Sequence, residues 1–216
     1  MKIKKFVDLS LPLNEKTPVY PGDPIPKFNV ATTVENDGYN LFGVYVGSQS
    51  GSHVDASYHF LNSGKRVDEM SLDNFFGRAM LIDMSHKMNN EEITYKDIKS
   101  YLPEVKNKPF ILIKTGWDKT IGTDAFFEHP YVGEDAAIAL VEHGAVFLGM
   151  DTINVDKTGG TEFPVHDLFA LKDLMIGENW ANFGEITGTE LYLSAFPLNM
   201  NCDGSPVRPV VIEVEV

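Results

Sequence analysis

Seven strand-length runs, either apolar throughout or alternating apolar with polar, are spread along a chain of 216 residues. They fall at 28–33, 41–46, 79–84, 110–114, 145–150, 190–196 and 207–216, each bounded by turn residues, which favours a strand-rich fold. In the last of them Val210, Ile212 and Val214 share one face, against Val211, Glu213 and Glu215 on the other. Helical signals are fewer. Thr94 can cap a helix over 95–102 that Pro103 would end, 134–143 is amphipathic and stopped by Gly144, and a third helix can start near Pro164. No repeat, low-complexity tract or linker divides the sequence, so 1–216 reads as a single domain. The expected architecture is mixed α/β: a strongly curved sheet, closed to a barrel or half-barrel, flanked by a few helices.

Composition works by exclusion. A hydrophobic share of 43% with 11% aromatics suits a packed globular chain and not a disordered one. A formal net charge of −13 argues against a nucleic-acid partner, which would require a clustered basic footprint. No stretch is long and apolar enough to span a membrane. The basic start of the chain is interrupted by Asp8 before any apolar run develops, so it reads as a first strand and not a signal peptide. Cys202 is the only cysteine, which suits a reducing cytoplasm and leaves any metal site to histidines and carboxylates.

Five prolines, at 12, 18, 21, 24 and 26, stiffen the segment 11–26 into an extended loop whose tip is Tyr20-Pro21-Gly22-Asp23-Pro24. A loop of this length in one compact domain is often a binding wall, although a plain turn is the commoner outcome for such a tip.

The chemistry-bearing residues concentrate in Gln49-Ser50-Gly51-Ser52-His53-Val54-Asp55-Ala56-Ser57-Tyr58-His59. If 47–59 is broadly extended, alternation puts Gln49, Gly51, His53, Asp55, Ser57 and His59 on one face and sends Val54, Ala56, Tyr58 and Phe60 toward the core. A single His and Asp two apart would more often be a hydrogen-bonded pair on a wet sheet. Two imidazoles and a carboxylate converging beside small residues instead supply the nitrogen and oxygen donors that a borderline divalent cation takes.

Gly51, His53, Asp55 and His59 match as they stand the pattern His-x-Gly-Thr-His-x-Asp-x-Pro-x-His. By it the chain resembles the cyclase and arylformamidase family of metal-dependent hydrolases. Ser52 replaces the Thr, Gln49 stands at the first His and Ser57 at the Pro. Similar short matches follow in order: Asp8-Leu9-Ser10, Tyr20-Pro21-Gly22-Asp23, Thr115-Gly116-Trp117, Gly149-Met150-Asp151-Thr152 and Asp203-Gly204-Ser205-Pro206-Val207-Arg208. The resemblance implies a swivelling β/β/α-type fold and a homodimer or larger homo-oligomer. It implies one or two Zn²⁺ or Mn²⁺ ions, with Gln49, His53 and Asp55 as ligands and with His166 and Glu178 joining Asp55 at a second site. It further implies hydrolysis of an aryl formamide such as N-formylkynurenine, as in tryptophan catabolism, or ring opening of a cyclic amide such as isatin. Tyr20 would then be an aromatic wall of the substrate pocket, with Phe42, Tyr45, Phe60, Phe75 or Trp117 as neighbours.

Such a reaction needs a divalent cation because an amide carbonyl is a poor electrophile and neutral water a poor nucleophile; bound to a cation, water drops from a pKa of roughly 15.7 to about 7. His59 is the candidate general acid and base, with metal ligation as its competing role. Gln49 is a harder, weaker donor than imidazole and would shift preference from zinc toward manganese. A metal-stabilised binding protein without turnover is the alternative from another class. A serine triad is disfavoured, since no Gly-x-Ser-x-Gly elbow occurs and Gln49 fills the nucleophile position of the nearest match.

Overall fold

The computed structural model describes residues 2–215. Its strands are β1 (Lys2–Asp8), β2 (Lys27–Thr32), β3 (Leu41–Tyr45), β4 (His53–Asp55), β5 (Phe76–Asp83), β6 (Glu92–Ile93), β7 (Phe110–Lys114), β8 (Tyr131–Val132), β9 (Phe147–Met150), β10 (Met175–Glu178), β11 (Leu191–Ser194), β12 (Gly204–Pro206) and β13 (Val210–Glu215). The α-helices are α1 (Val34–Asp37), α2 (Tyr95–Ile98), α3 (Leu102–Val105), α4 (Glu134–Glu142) and α5 (Pro164–Leu171). Nine strands form one strongly curled, half-barrel sheet in the order β1-β13-β11-β5-β7-β9-β10-β4-β12. β5, β7, β9 and β10 run parallel, and antiparallel strands extend the sheet on both sides. This is the mixed, curved sheet expected from the sequence.

The central strands are apolar on both faces because both are covered. Along β7, Ile111 and Ile113 join a layer with Ile98, Leu140 and Phe169 from the helices. Phe110 and Leu112 point the other way, into the concave core with Phe147, Trp180 and Leu193. The shape of the curl depends on close approach: a side chain at Gly177 would collide with the Trp180 indole. β2 and β3 form a separate hairpin that stands off the body, with Val30, Leu41, Phe42, Val44 and Tyr45 each half exposed or more.

Two local expectations fail. Pro103 does not end a helix over 95–102; it sits in the first turn of α3, where its missing N–H is not needed, and the segment becomes two short helices. In β13 the two faces alternate as expected and both are largely covered, since the strand lies between β1 and β11, and Glu213 is buried where it accepts the Thr187 N–H at 2.7 Å. The end of that predicted strand, Val216, lies outside the described residues. Finally, 47–59 is not one extended face: a turn with Gly51 at φ +65° precedes the three residues of β4, and a 3-10 turn over Ser57–His59 follows.

Lys87 is a buried cation beside α2. Its Nζ donates to Asp97 Oδ2 at 2.8 Å, Glu91 Oε1 at 3.1 Å and the Glu92 carbonyl at 2.9 Å, using all three of its protons. Burial pushes the Asp97 carboxyl up, but Lys87 and the Thr94 donors outweigh it and hold the group at about 2. Replacing Lys87 by Met is expected to cost about 1–3 kcal/mol in urea denaturation at neutral pH, because half-buried Asp97 is left without its cation. The Asp97 contribution is complete above the ordinary carboxyl value of 3.8 and is lost as the pH falls toward about 2, so wild-type and Lys87→Met stabilities should converge over that interval.

Candidate metal centre

Antiparallel pairing builds the site. β4 lies between β10 and β12, with His53 opposite Glu178 and Asp55 opposite Gly204. His53 and Asp55, two residues apart, project from the same face, and Glu178 meets them from the neighbouring strand. Trp180 pins β4 from behind by donating its indole N–H to the His53 carbonyl at 3.0 Å. From above, α5 brings His166 down onto the same carboxylates.

Each carboxylate stands between two imidazoles. Asp55 Oδ1 is 3.6 Å from His53 Nε2 and its Oδ2 is 3.7 Å from His166 Nε2. Glu178 Oε2 is 3.4 Å from His53 Nε2 and its Oε1 is 3.3 Å from His166 Nε2. All four residues are buried. Among the described residues both Asp55 oxygens lack any hydrogen-bond partner, an arrangement that is costly unless a cation meets them. Two groups have one donor atom apiece within 4.8 Å of one another: His53, Asp55 and Glu178, and Asp55, His59 and His166, with Asp55 common to both.

The remaining nitrogen of each histidine is already committed. His53 Nδ1 donates to the Gly51 carbonyl at 2.8 Å, which the left-handed turn at Gly51 presents. His166 Nδ1 donates to Asp156 Oδ2 at 2.7 Å, and Asp156 also accepts the backbone N–H groups of Val165 and His166, so one carboxylate both caps α5 and orients its histidine. Each Nε2 lone pair is therefore free to face the carboxylates. Burial disfavours a charged His53, but Asp55 and then Glu178 outweigh it and push the ring up to about 9. His166 is likewise raised, against burial, chiefly by Glu178. The same field that holds protons there would attract a metal cation. The donor set fits a divalent ion, which His53, Asp55, His166 and Glu178 would hold.

His59 and Gln49 are placed differently. The 3-10 turn brings half-buried His59 to the mouth of the cluster, with Nδ1 2.8 Å from Asp203 Oδ2. Gln49 precedes the turn at Gly51, so strand alternation does not place it; its Nε2 donates to Asp203 Oδ2 at 2.9 Å, and Ser48 donates to Asp203 Oδ1 at 2.7 Å. Among the described residues the Gln49 Oε1 is buried without a partner. Burial opposes a charged His59, while Asp203 and then Asp55 favour it and raise it overall. The same contact, countered by burial, holds Asp203 well below the usual carboxylate range.

A cleft of about 250 Å³ opens onto these groups, walled by Tyr20, Phe60, Ile153 and Phe163 and floored by His53, His59, His166 and Glu178. Phe60 stacks on the His166 ring at 4.3 Å. Tyr20 lies in this wall, with its hydroxyl accepting the Gly159 N–H at 3.3 Å. Of the other aromatics expected beside it only Phe60 is there. Phe42 and Tyr45 belong to the exposed hairpin, and Phe75 and Trp117 are buried in other cores. Sequence reasoning did not single out Asp156, Asp203 or Phe163; Asp203 heads a quoted motif, but its role appears only when β12 pairs with β4. Two further motifs prove structural, because Asp151 accepts the Thr115 and Gly116 N–H groups and the Thr115 hydroxyl. Burial pushes the Asp151 carboxyl up to about 6 against those donors.

Half-barrel and buried His and carboxylate cluster together define a candidate metal-dependent hydrolase. Comparison with known proteins agrees: residues 7–157 match the family model described as putative cyclase. A kynurenine formamidase of Bacillus mycoides is 29% identical over 213 residues, covering 98% of this chain and 99% of the relative. One from Bacillus cereus is 30% identical over 215 residues with the same coverage. Among solved structures, an isatin hydrolase bound to the product analogue thioisatinate superposes with a TM-score of 0.87 at 22% identity, covering 98% of this chain and 93% of that one. A potential metal-dependent hydrolase with cyclase activity gives 0.81 at 25% identity, covering 98% and 99%. The chain belongs to the cyclase and arylformamidase family of metal-dependent hydrolases.

If Asp156 orients His166 toward a bound ion, Asp156→Asn should weaken Zn²⁺ or Mn²⁺ affinity about 10–100-fold in competition with a chromophoric chelator, with circular dichroism unchanged. Unaltered affinity would remove Asp156 from the site.

Proposed function

We propose that the protein hydrolyses an aryl formamide, N-formylkynurenine being the reference substrate, with one or two Zn²⁺ or Mn²⁺ ions held by His53, Asp55, His166 and Glu178. The observation that carries this reading is the pair of unpartnered Asp55 oxygens, grouped with His59 and His166, two histidines that line the aromatic-walled cleft. Full-length similarity to kynurenine formamidases supports it. A bound divalent ion supplies Lewis acidity toward the amide carbonyl and an acidified water.

The chain's own groups do the rest. Tyr20, Phe60 and Phe163 hold an aryl ring and exclude water from around it. Asp203 fixes the His59 proton on Nδ1, which leaves Nε2 as the acceptor for a proton from the attacking water. As the C–N bond breaks, His59 returns that proton from Nε2 to the departing nitrogen, giving formate and an arylamine. Gln49 and Ser48 brace Asp203, so Gln49 is assigned here to proton positioning in place of metal ligation.

Protein purified without added metal should contain Zn²⁺ or Mn²⁺ by mass spectrometry and lose formamidase activity on chelation. His59→Ala should lower kcat by about 10²–10⁴ while retaining the metal. Metal retention without turnover on any formamide or cyclic amide would instead mean a binding protein.

We also propose a homo-oligomer formed through the β2–β3 arm. Ile25, Val30, Val34, Tyr39, Leu41, Phe42, Val44 and Tyr45 are each half exposed or more. Side chains of this size leave on the order of 100 Å² apiece, so the arm offers about 800 Å² per copy when a partner wraps both of its faces, the area of a standard interface. The arm's two ends run directly into the Tyr20 loop and the Gln49 turn, so a second copy seated on it would also brace the cleft. Light scattering should give a dimer or larger for wild type and a monomer for Phe42→Asp with Val44→Asp; a monomeric wild type would overturn this assignment.

A further inference from the structure

Asp23 has no part in the chemistry above, yet it lines the cleft. It ends the turn that Tyr20 begins: the Asp23 N–H donates to the Tyr20 carbonyl at 3.0 Å, and Gly22 adopts φ +104°, which that turn requires. Both ends of the turn are thus delivered to the same wall. Among the described residues the Asp23 carboxylate has no hydrogen-bond or ion-pair partner, so it neither stabilises the turn nor closes a loop. It belongs to neither metal cluster. Burial pushes it up; His53 and His59 act in the opposite sense and Asp203 in the same sense.

The cleft has a marked charge asymmetry. Among the described residues neither lysine nor arginine lines it; its histidines face Asp55, Glu178 and Asp203, and Asp23 is a further carboxylate. An anionic substituent seated against the Tyr20 turn would meet the unpartnered Asp23 carboxylate. A cationic substituent would find one partly desolvated carboxylate without a partner and three aromatic faces.

We propose that Asp23 is a specificity residue that accepts a hydrogen bond from an ammonium group on the substrate, so that the preferred substrates are aryl amides bearing a cationic side arm. This rests on the amidohydrolase reading above. The test compares three formanilides of similar size whose ortho substituent is aminomethyl, methyl or carboxylate. For wild type, kcat/KM should fall in that order, with about a tenfold gap between the aminomethyl and methyl compounds, the size of one charge-assisted hydrogen bond. In Asp23→Asn the ratio of those two should drop to within about twofold, each variant serving as its own control. Equal rates for all three compounds, or a ratio unchanged in Asp23→Asn, would overturn the inference and leave the hydrolase reading in place. If none is hydrolysed the hydrolase reading fails, and calorimetry with benzylamine against benzyl alcohol then decides Asp23 directly: a preference for the amine lost in Asp23→Asn sustains the role, and no preference ends it.

Discussion

The pairing of a three-residue strand with its neighbours is the constraint on which the site depends. β4 is short, but it is flanked on both sides, by β10 and β12, and held from behind by the Trp180 indole. That register alone sets His53 against Glu178 and leaves Asp55 beside them. A slip of one residue would turn both His53 and Asp55 into the apolar core and expose Val54 to the cleft. Strand pairing is here a catalytic constraint as much as a structural one. It also explains why Gly204 is a glycine: a Cβ there would sit 2.7 Å from the Val54 carbonyl and 2.6 Å from Gln49 Nε2.

Much of this was legible before any coordinates. The strand runs and the mixed, curved sheet follow from short apolar and alternating segments, and the His53 and Asp55 pairing follows from period two. What failed did so for local reasons. Alternation was extended across 47–59, but Gly51 and the Ser57 turn break the strand at either end, so His59 reaches the cleft by a 3-10 turn and Gln49 by a bend. Ser57, where the family pattern has a Pro, is fixed instead by its hydroxyl bond to Asp173 Oδ1 at 2.7 Å. His166 and Glu178 carry no local signal, since their meaning lies in distant contacts; the family pattern supplied them. Asp156 and Asp203 were illegible for the same reason, being carboxylates whose partners are 10 and 144 residues away.

The three histidines of the cleft are differentiated by what holds their Nδ1 atoms. His53 leans on a neutral carbonyl, whereas His166 and His59 lean on carboxylates. A carboxylate partner makes an imidazole a better base than a carbonyl does, because it stabilises the charged ring. For His166, facing Asp55 and Glu178 in full burial, that basicity would serve donation to a cation. His59 has the same kind of partner but remains half exposed at the cleft mouth, where a proton can be exchanged with water and substrate. Gln49 fits this division. An imidazole at that position would add another basic ring near the cluster, whereas the amide contributes an N–H to Asp203 and no titratable charge, so the tautomer of His59 stays fixed without a second proton acceptor beside it.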